Sequence, residues 1–120
     1  MNYIDGFVIP VRTTDKDAFL DHARRVNALF LELGALRIVE SWGDDVPHGK
    51  VTDFHRAVQA KADETVVFSW IEWPDRATRD AAMAKLRAEP RMMDEPMPFD
   101  GQRMIFGGFA PAYVAGGARG

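Results

Sequence analysis

The run Glu64-Thr65-Val66-Val67-Phe68-Ser69-Trp70-Ile71-Glu72-Trp73 reads as a β-strand that is apolar on both sides. Successive side chains of a strand alternate between faces, so Val66, Phe68 and Trp70 share one side and Val67, Ser69 and Ile71 the other. A sheet built around this strand must be covered twice. That requirement limits the folds open to the chain more than any other feature.

Three further strands and two long helices surround it. Tyr3 to Val11 is β-branched and aromatic, with Pro10 at its end, and it sets Phe7 and Ile9 against Ile4 and Val8. Thr14-Asp15-Lys16-Asp17 resembles a capping box opening a helix. Phe19, Ala23, Val26, Phe30 and Leu33 form one apolar stripe along that helix, with Asp21, Arg24, Arg25 and Glu32 on its wet face. His22, beside Asp21, reads as exposed. Gly34 stops the helix, and Leu36 to Trp42 is a second strand. Asp53 is placed to cap a short helix over Phe54 to Ala60. Pro74-Asp75 opens the second long helix, which runs to Glu89 and halts before Pro90. Arg103 to Phe109 is the last strand, with Met104 and Phe106 opposed to Ile105 and Phe109. Its Gly107-Gly108 allows a kink or a close backbone approach.

The order strand–helix–strand, connection, strand–helix–strand predicts an α+β, ferredoxin-like split βαβ domain: four antiparallel strands with two helices on one face. One domain over 1–113 is expected, followed by a Gly- and Ala-rich flexible tail over 114–120. Two helices cover one sheet face only. An exposed apolar face of that size marks an interface, so a homodimer packed sheet to sheet is expected, a dimeric α/β barrel. The competing cover is the Trp42 to His55 segment folded back over its own sheet.

Charge and composition exclude several function classes. A net charge of -3 argues against a nucleic-acid surface, which needs clustered Lys and Arg. No apolar run approaches the ~18 residues of a membrane span. Met1-Asn2-Tyr3-Ile4-Asp5 enters a strand pattern with no secretory leader, so a cytoplasmic location is expected. The absence of cysteine excludes disulfides and thiolate metal sites.

Trp42 to His55 is the densest patch of reactive side chains, with Trp42, Asp44, Asp45, His48, Lys50, Asp53 and His55. Carboxylate and imidazole are natural ligands of divalent ions, but no HExxH or EF-hand spacing is present, and Asp44-Asp45-Val46-Pro47 reads equally as a turn. No metal and no cofactor are expected. Lys50 is a candidate anion contact. Asp5 has the parity of Tyr3, Phe7 and Ile9, where an apolar residue belongs, and an ion pair with Arg103 across strands one and four would explain it. Trp42, Phe68, Ser69 and Trp70 are candidate cavity walls.

Several stretches resemble the YbaA-like family of small bacterial proteins of unknown function, which belongs with the dimeric α/β barrels. They are Tyr3-Ile4-Asp5-Gly6-Phe7, Asp44-Asp45-Val46-Pro47, Gly49-Lys50-Val51-Thr52, Glu64 to Trp70, Pro98-Phe99-Asp100-Gly101, Arg103-Met104 and Gly107-Gly108-Phe109. They reach from the first strand to the last. The resemblance implies the ferredoxin-like fold and a barrel dimer, and no activity.

These readings together point to a homodimeric module that binds a small, partly aromatic ligand. A cofactor-independent oxygenase, decarboxylase or isomerase is the alternative, with Asp5 or His48 as base, Arg103 holding an oxyanion and Trp70 stacked on the substrate. A purely structural or interaction role is the third reading.

Overall fold

A computed structural model describes residues 2–116. Chain order is β1 (Tyr3–Arg12), a 3-10 turn (Thr13–Asp15), α1 (Lys16–Glu32), β2 (Arg37–Trp42), α2 (Phe54–Ala57), β3 (Glu64–Trp73), α3 (Arg76–Leu86), α4 (Pro90–Met93) and β4 (Ile105–Phe109). The strands form one sheet in the order β2-β3-β1-β4, with every neighbouring pair antiparallel. This is the ferredoxin-like α+β plan. Residues 117–120 of the expected tail lie outside the described residues.

The register fixes both faces. Tyr3 opposes Trp73, Asp5 opposes Ile71, Phe7 opposes Ser69 and Ile9 opposes Val67, so these eight residues share one face. α1 and α3 pack on it: Val26, Leu29 and Phe30 of α1 and Ala82 and Leu86 of α3 enclose Tyr3, Ile71 and the fully buried Trp73. Burying side chains of this size contributes about 1.5–3 kcal/mol each. We call this the inner face. The outer face carries Ile4, Gly6, Val8 and Pro10 of β1, Val66, Phe68 and Trp70 of β3, and Ile105, Gly107 and Phe109 of β4.

Local signals in the sequence met mixed outcomes. β3 has the expected bounds, Asp53 caps α2 by accepting from the Arg56 N–H at 2.7 Å, and Asp75 caps α3 through Thr78. Gly34 takes the left-handed conformation expected after α1 (φ 111°). The capping box at Thr14 does not form: a 3-10 turn leads into α1, Asp15 occupies the cap position, and no side chain closes it. Pro10 lies inside β1, opposite Val66, and does not end it. β4 reaches only to Val8 along β1, so at Pro10 the strand has a neighbour on one side, where a missing N–H is tolerated. α4, after the second long helix, is an element that the sequence reading lacks.

Candidate functional site

α1 does not lie flush on the inner face. Between it and the strands is a cavity of about 150 Å3. Phe7, Phe19, Phe30 and Ile71 supply apolar walls, and Ser69, Asn27 and Glu40 place polar atoms among them. Glu40 sits on β2 with the inner parity of Ile38 and Trp42, and Asn27 Nδ2 donates to its Oε2 at 2.9 Å. A carboxylate offers more acceptor positions than this single donor fills.

The chain between α4 and β4 borders the cavity through Met97, Phe99 and Met104. Glu95 pins this strap to α1. It accepts from His22 Nδ1 at 2.9 Å and from Arg25 Nε and Nη2 at 2.9 and 2.8 Å. The Arg25 guanidinium, with His22 assisting, holds the Glu95 carboxyl down at about 2. Phe99 then stacks edge-on against both His22 and Phe19. His22 is therefore buried, which overturns its reading as an exposed helix residue. The signal was present: three residues after Phe19 and four before Val26, His22 falls on the apolar stripe. Glu40 could have been found the same way, as a carboxylate on the buried parity of a strand. Met104 shares the parity of Phe106 in the last strand, the inner one, whereas Met97 and Phe99 had no periodicity to betray them.

The expected Asp5–Arg103 pair does not exist. Asp5 is buried on the inner face, where Trp73 Nε1 donates to Oδ2 at 2.9 Å and Arg79 Nε lies 3.5 Å from Oδ1. Burial raises its carboxyl above the usual range against the opposing pull of Trp73 and Arg79. Asp5 lines neither the cavity nor the outer groove described below. Its partner on β4 is Gly108. A side chain at Gly108 would meet Arg79 Nη2 and the Tyr3 hydroxyl, so this glycine is demanded by a close approach.

Arg103 precedes β4, five residues before Gly108, on the order of 15 Å along an extended chain. It grips Glu64 with two bonds, donates to Asp100 and donates to the Gln59 carbonyl at 2.9 Å. Gln59 carries the one left-handed non-glycine backbone among the described residues (φ 50°). Arg103 thus ties the turn before β4, the end of α2 and the start of β3 into one knot. It holds the Glu64 carboxyl at about 2.

On the outer face lies an open groove of about 590 Å3, floored by Ile4, Val8, Phe68, Trp70, Ile105 and Phe109. Trp70 Nε1 donates to Glu72, which also pairs with Arg37 at the rim. The Trp42 to His55 segment covers one end of this face only. Gly43 N–H donates to the Val66 carbonyl, Phe54 packs edge-on against Phe68, and Pro10, Val66 and Val58 are buried.

The sequence candidates therefore scatter. Ser69 alone lines the inner cavity, while Trp42 packs beside Phe19 under the Lys16 ammonium. Phe68 and Trp70 wall the opposite groove. Asp44, Asp45 and Lys50 are exposed. Asp5, Arg103 and Trp70, the trio of the enzymatic alternative, occupy three separate places, and His48 lines neither the cavity nor the groove. The structure does gather His48, Asp53 and His55, with one ligand atom from each lying within 4.8 Å of the others.

Residues 2–101 match a family model described as a protein of unknown function (DUF1428). The chain is 57% identical to the uncharacterized protein YbaA of Escherichia coli strain K12 over 111 residues, 91% of this chain and 95% of that one. The same figures hold for YbaA of Shigella flexneri. The chain belongs to the DUF1428 family. Among solved structures it resembles a dimeric ferredoxin-like protein from an uncultured marine organism, with a TM-score of 0.50 at 15% identity over 91% of this chain and 92% of that one. That likeness supports the fold. Among the described residues no helix is long and apolar enough to cross a membrane.

Proposed function

We propose that the chain is a homodimeric binding module whose inner cavity takes a small ligand built on a single aromatic ring. The observation that carries this reading is the cavity itself. At about 150 Å3, it has the volume that, lined by apolar groups, accepts one benzene-sized ring. Its polar atoms are few, as in most small-molecule sites. Ser69 and the unfilled acceptor positions of Glu40 suit a hydroxyl or amine on that ring. Met92, Met97 and Met104 add flexible walls that adapt to a substituent.

The dimer rests on the outer groove. Phe68, Ile105 and Phe109 each expose close to half of their surface or more. A sheet-to-sheet partner removes that face from water, and a stable pair buries about 800 Å2 on each side. The related marine structure is described as dimeric, in keeping with this arrangement.

The ligand proposal is tested by thermal melting against a panel of phenols, anilines and their one-ring relatives. A ligand that binds only the folded state raises its melting temperature. Ala23→Leu, which fills the cavity from α1, is expected to abolish the shift while circular dichroism stays native. If no compound moves the melting temperature, or if the shift survives Ala23→Leu, the reading fails.

A further inference from the structure

The cluster of His48, Asp53 and His55 plays no part in the cavity or in the groove. We infer that these three residues form a binding site for a divalent transition cation of the zinc type, independent of any ligand in the cavity.

The geometry is assembled by the loop. A side chain at Gly49 would lie 2.2 Å from the Thr52 carbonyl oxygen, so only glycine lets the chain fold back here. The Gly49 N–H then donates to Asp53 Oδ2 at 3.0 Å, while Oδ1 accepts from the Arg56 N–H. Both oxygens are held in place and both keep spare lone pairs. Hydrogen bonds of this kind orient a carboxylate for a metal. The same turn brings His48 Nδ1 to 3.8 Å from Asp53 Oδ2 and stacks its ring on His55, with centroids 4.2 Å apart.

The second observation is the state of His55. Its Nδ1 is buried and has no hydrogen-bond partner among the described residues. A buried polar atom left in that condition is unfavourable, and such orphans call for an explanation. A cation held by this nitrogen together with His48 and Asp53 would satisfy it. The move required is small: His48 is 77% exposed and free to slide off the stack so that its lone pair converges with that of His55.

The donor set selects the ion. Two imidazoles and a carboxylate suit zinc and its neighbours in the transition series, whereas magnesium and calcium favour all-oxygen shells. Three protein ligands leave a fourth position for water or an exogenous anion. Phe54 follows Asp53 directly and packs on Phe68, so a bound cation also stiffens the cover of the outer face.

The test uses the full chain without an affinity tag. Calorimetric titration with zinc is expected to show one ion per chain, with magnesium silent at the same concentration. The ring resonances of His48 and His55 are expected to shift and that of His22 to stay put. Loss of a second-shell partner already costs about 10–100-fold in metal affinity, so His48→Gln and His55→Gln are each expected to exceed that loss. Arg56→Gln is expected to tighten binding, because the Arg56 guanidinium, 3.7 Å from Asp53 Oδ2, competes for the carboxylate. Zinc binding that is unchanged in the double histidine variant, equal binding of magnesium, or unmoved His48 and His55 resonances at millimolar zinc overturns the inference.

Discussion

The two faces of the sheet are cut from the same strands and end differently. On the inner face, helices and a strap close over the apolar surface, and the charges there are paired: Glu95 with Arg25 and His22, Glu40 with Asn27, Asp5 with Trp73 and Arg79. On the outer face, equally apolar residues of the same strands meet the β2–β3 connection at one end and are otherwise open. Strand composition is alike on both sides. What differs is how much chain the connections can lay over each face. Coverage, not composition, separates a core from a docking surface.

The comparison breaks most visibly at Trp73. Trp73→Ala empties a fully buried site and strips Asp5 of its donor, and we expect a loss of about 3–5 kcal/mol in urea unfolding. A change of the same kind outside should act on assembly. Phe109→Asp is expected to turn a species of about twice the 13.5 kDa chain mass into the single chain in sedimentation, with the melting temperature of the subunit nearly kept. A variant that unfolds instead places Phe109 in a core.

Glu64 and Glu95 sharpen the contrast through pH. Both carboxyls are held at about 2 in the folded chain, against about 4.3 when unfolded. Their stabilisation is complete above about pH 5 and is lost as pH falls toward 2. Glu64→Gln is expected to cost about 1–3 kcal/mol at pH 7, and to flatten the acid limb of a stability–pH curve. Glu95→Gln should flatten the same limb, and it should also loosen the strap, read as faster amide exchange around Phe99. An acid limb that keeps its slope in both variants removes the assignment.

Asp5 has the opposite sign and the smallest effect. Burial raises its carboxyl, so its ionisation works against the folded state as pH rises through the window above 3.8. Asp5→Asn keeps an acceptor for Trp73 and is expected to change stability at pH 7 by less than about 1 kcal/mol. A loss of several kcal/mol would show that the Arg79 contact outweighs desolvation.

The strands and their faces were legible because period-two alternation is a local property. The outer set of Ile4, Val8, Phe68, Ile105 and Phe109 follows from parity alone. The site was less legible because its parts meet across long stretches of chain. Arg25 and Glu95 stand seventy residues apart, and nothing near either one names the other. Arg103 was assigned to Asp5 on the argument that strands one and four are neighbours. That is correct for the strands, but Arg103 precedes β4 and turns to Glu64 at the start of β3. Local capping chemistry was decisive at Asp53 and Asp75, and at Thr14 it lost to the 3-10 turn, where the neighbouring Thr13 hydroxyl meets that of Thr65.

The strand order has a consequence for how the molecule is made. β1 is made before the other strands of the sheet and lies in its middle, between β3 and β4. Its Ile4 to Val8 must wait for Phe109 to Ile105 before their second edge is paired. Pairings this remote in the chain slow folding, since loop closure is paid before contact rewards it. Until β4 has been made, β1 offers an unpaired, apolar edge to any other strand nearby. Chains truncated before Ile105 should therefore aggregate during production in a cell, even though most of the inner core is already present in them.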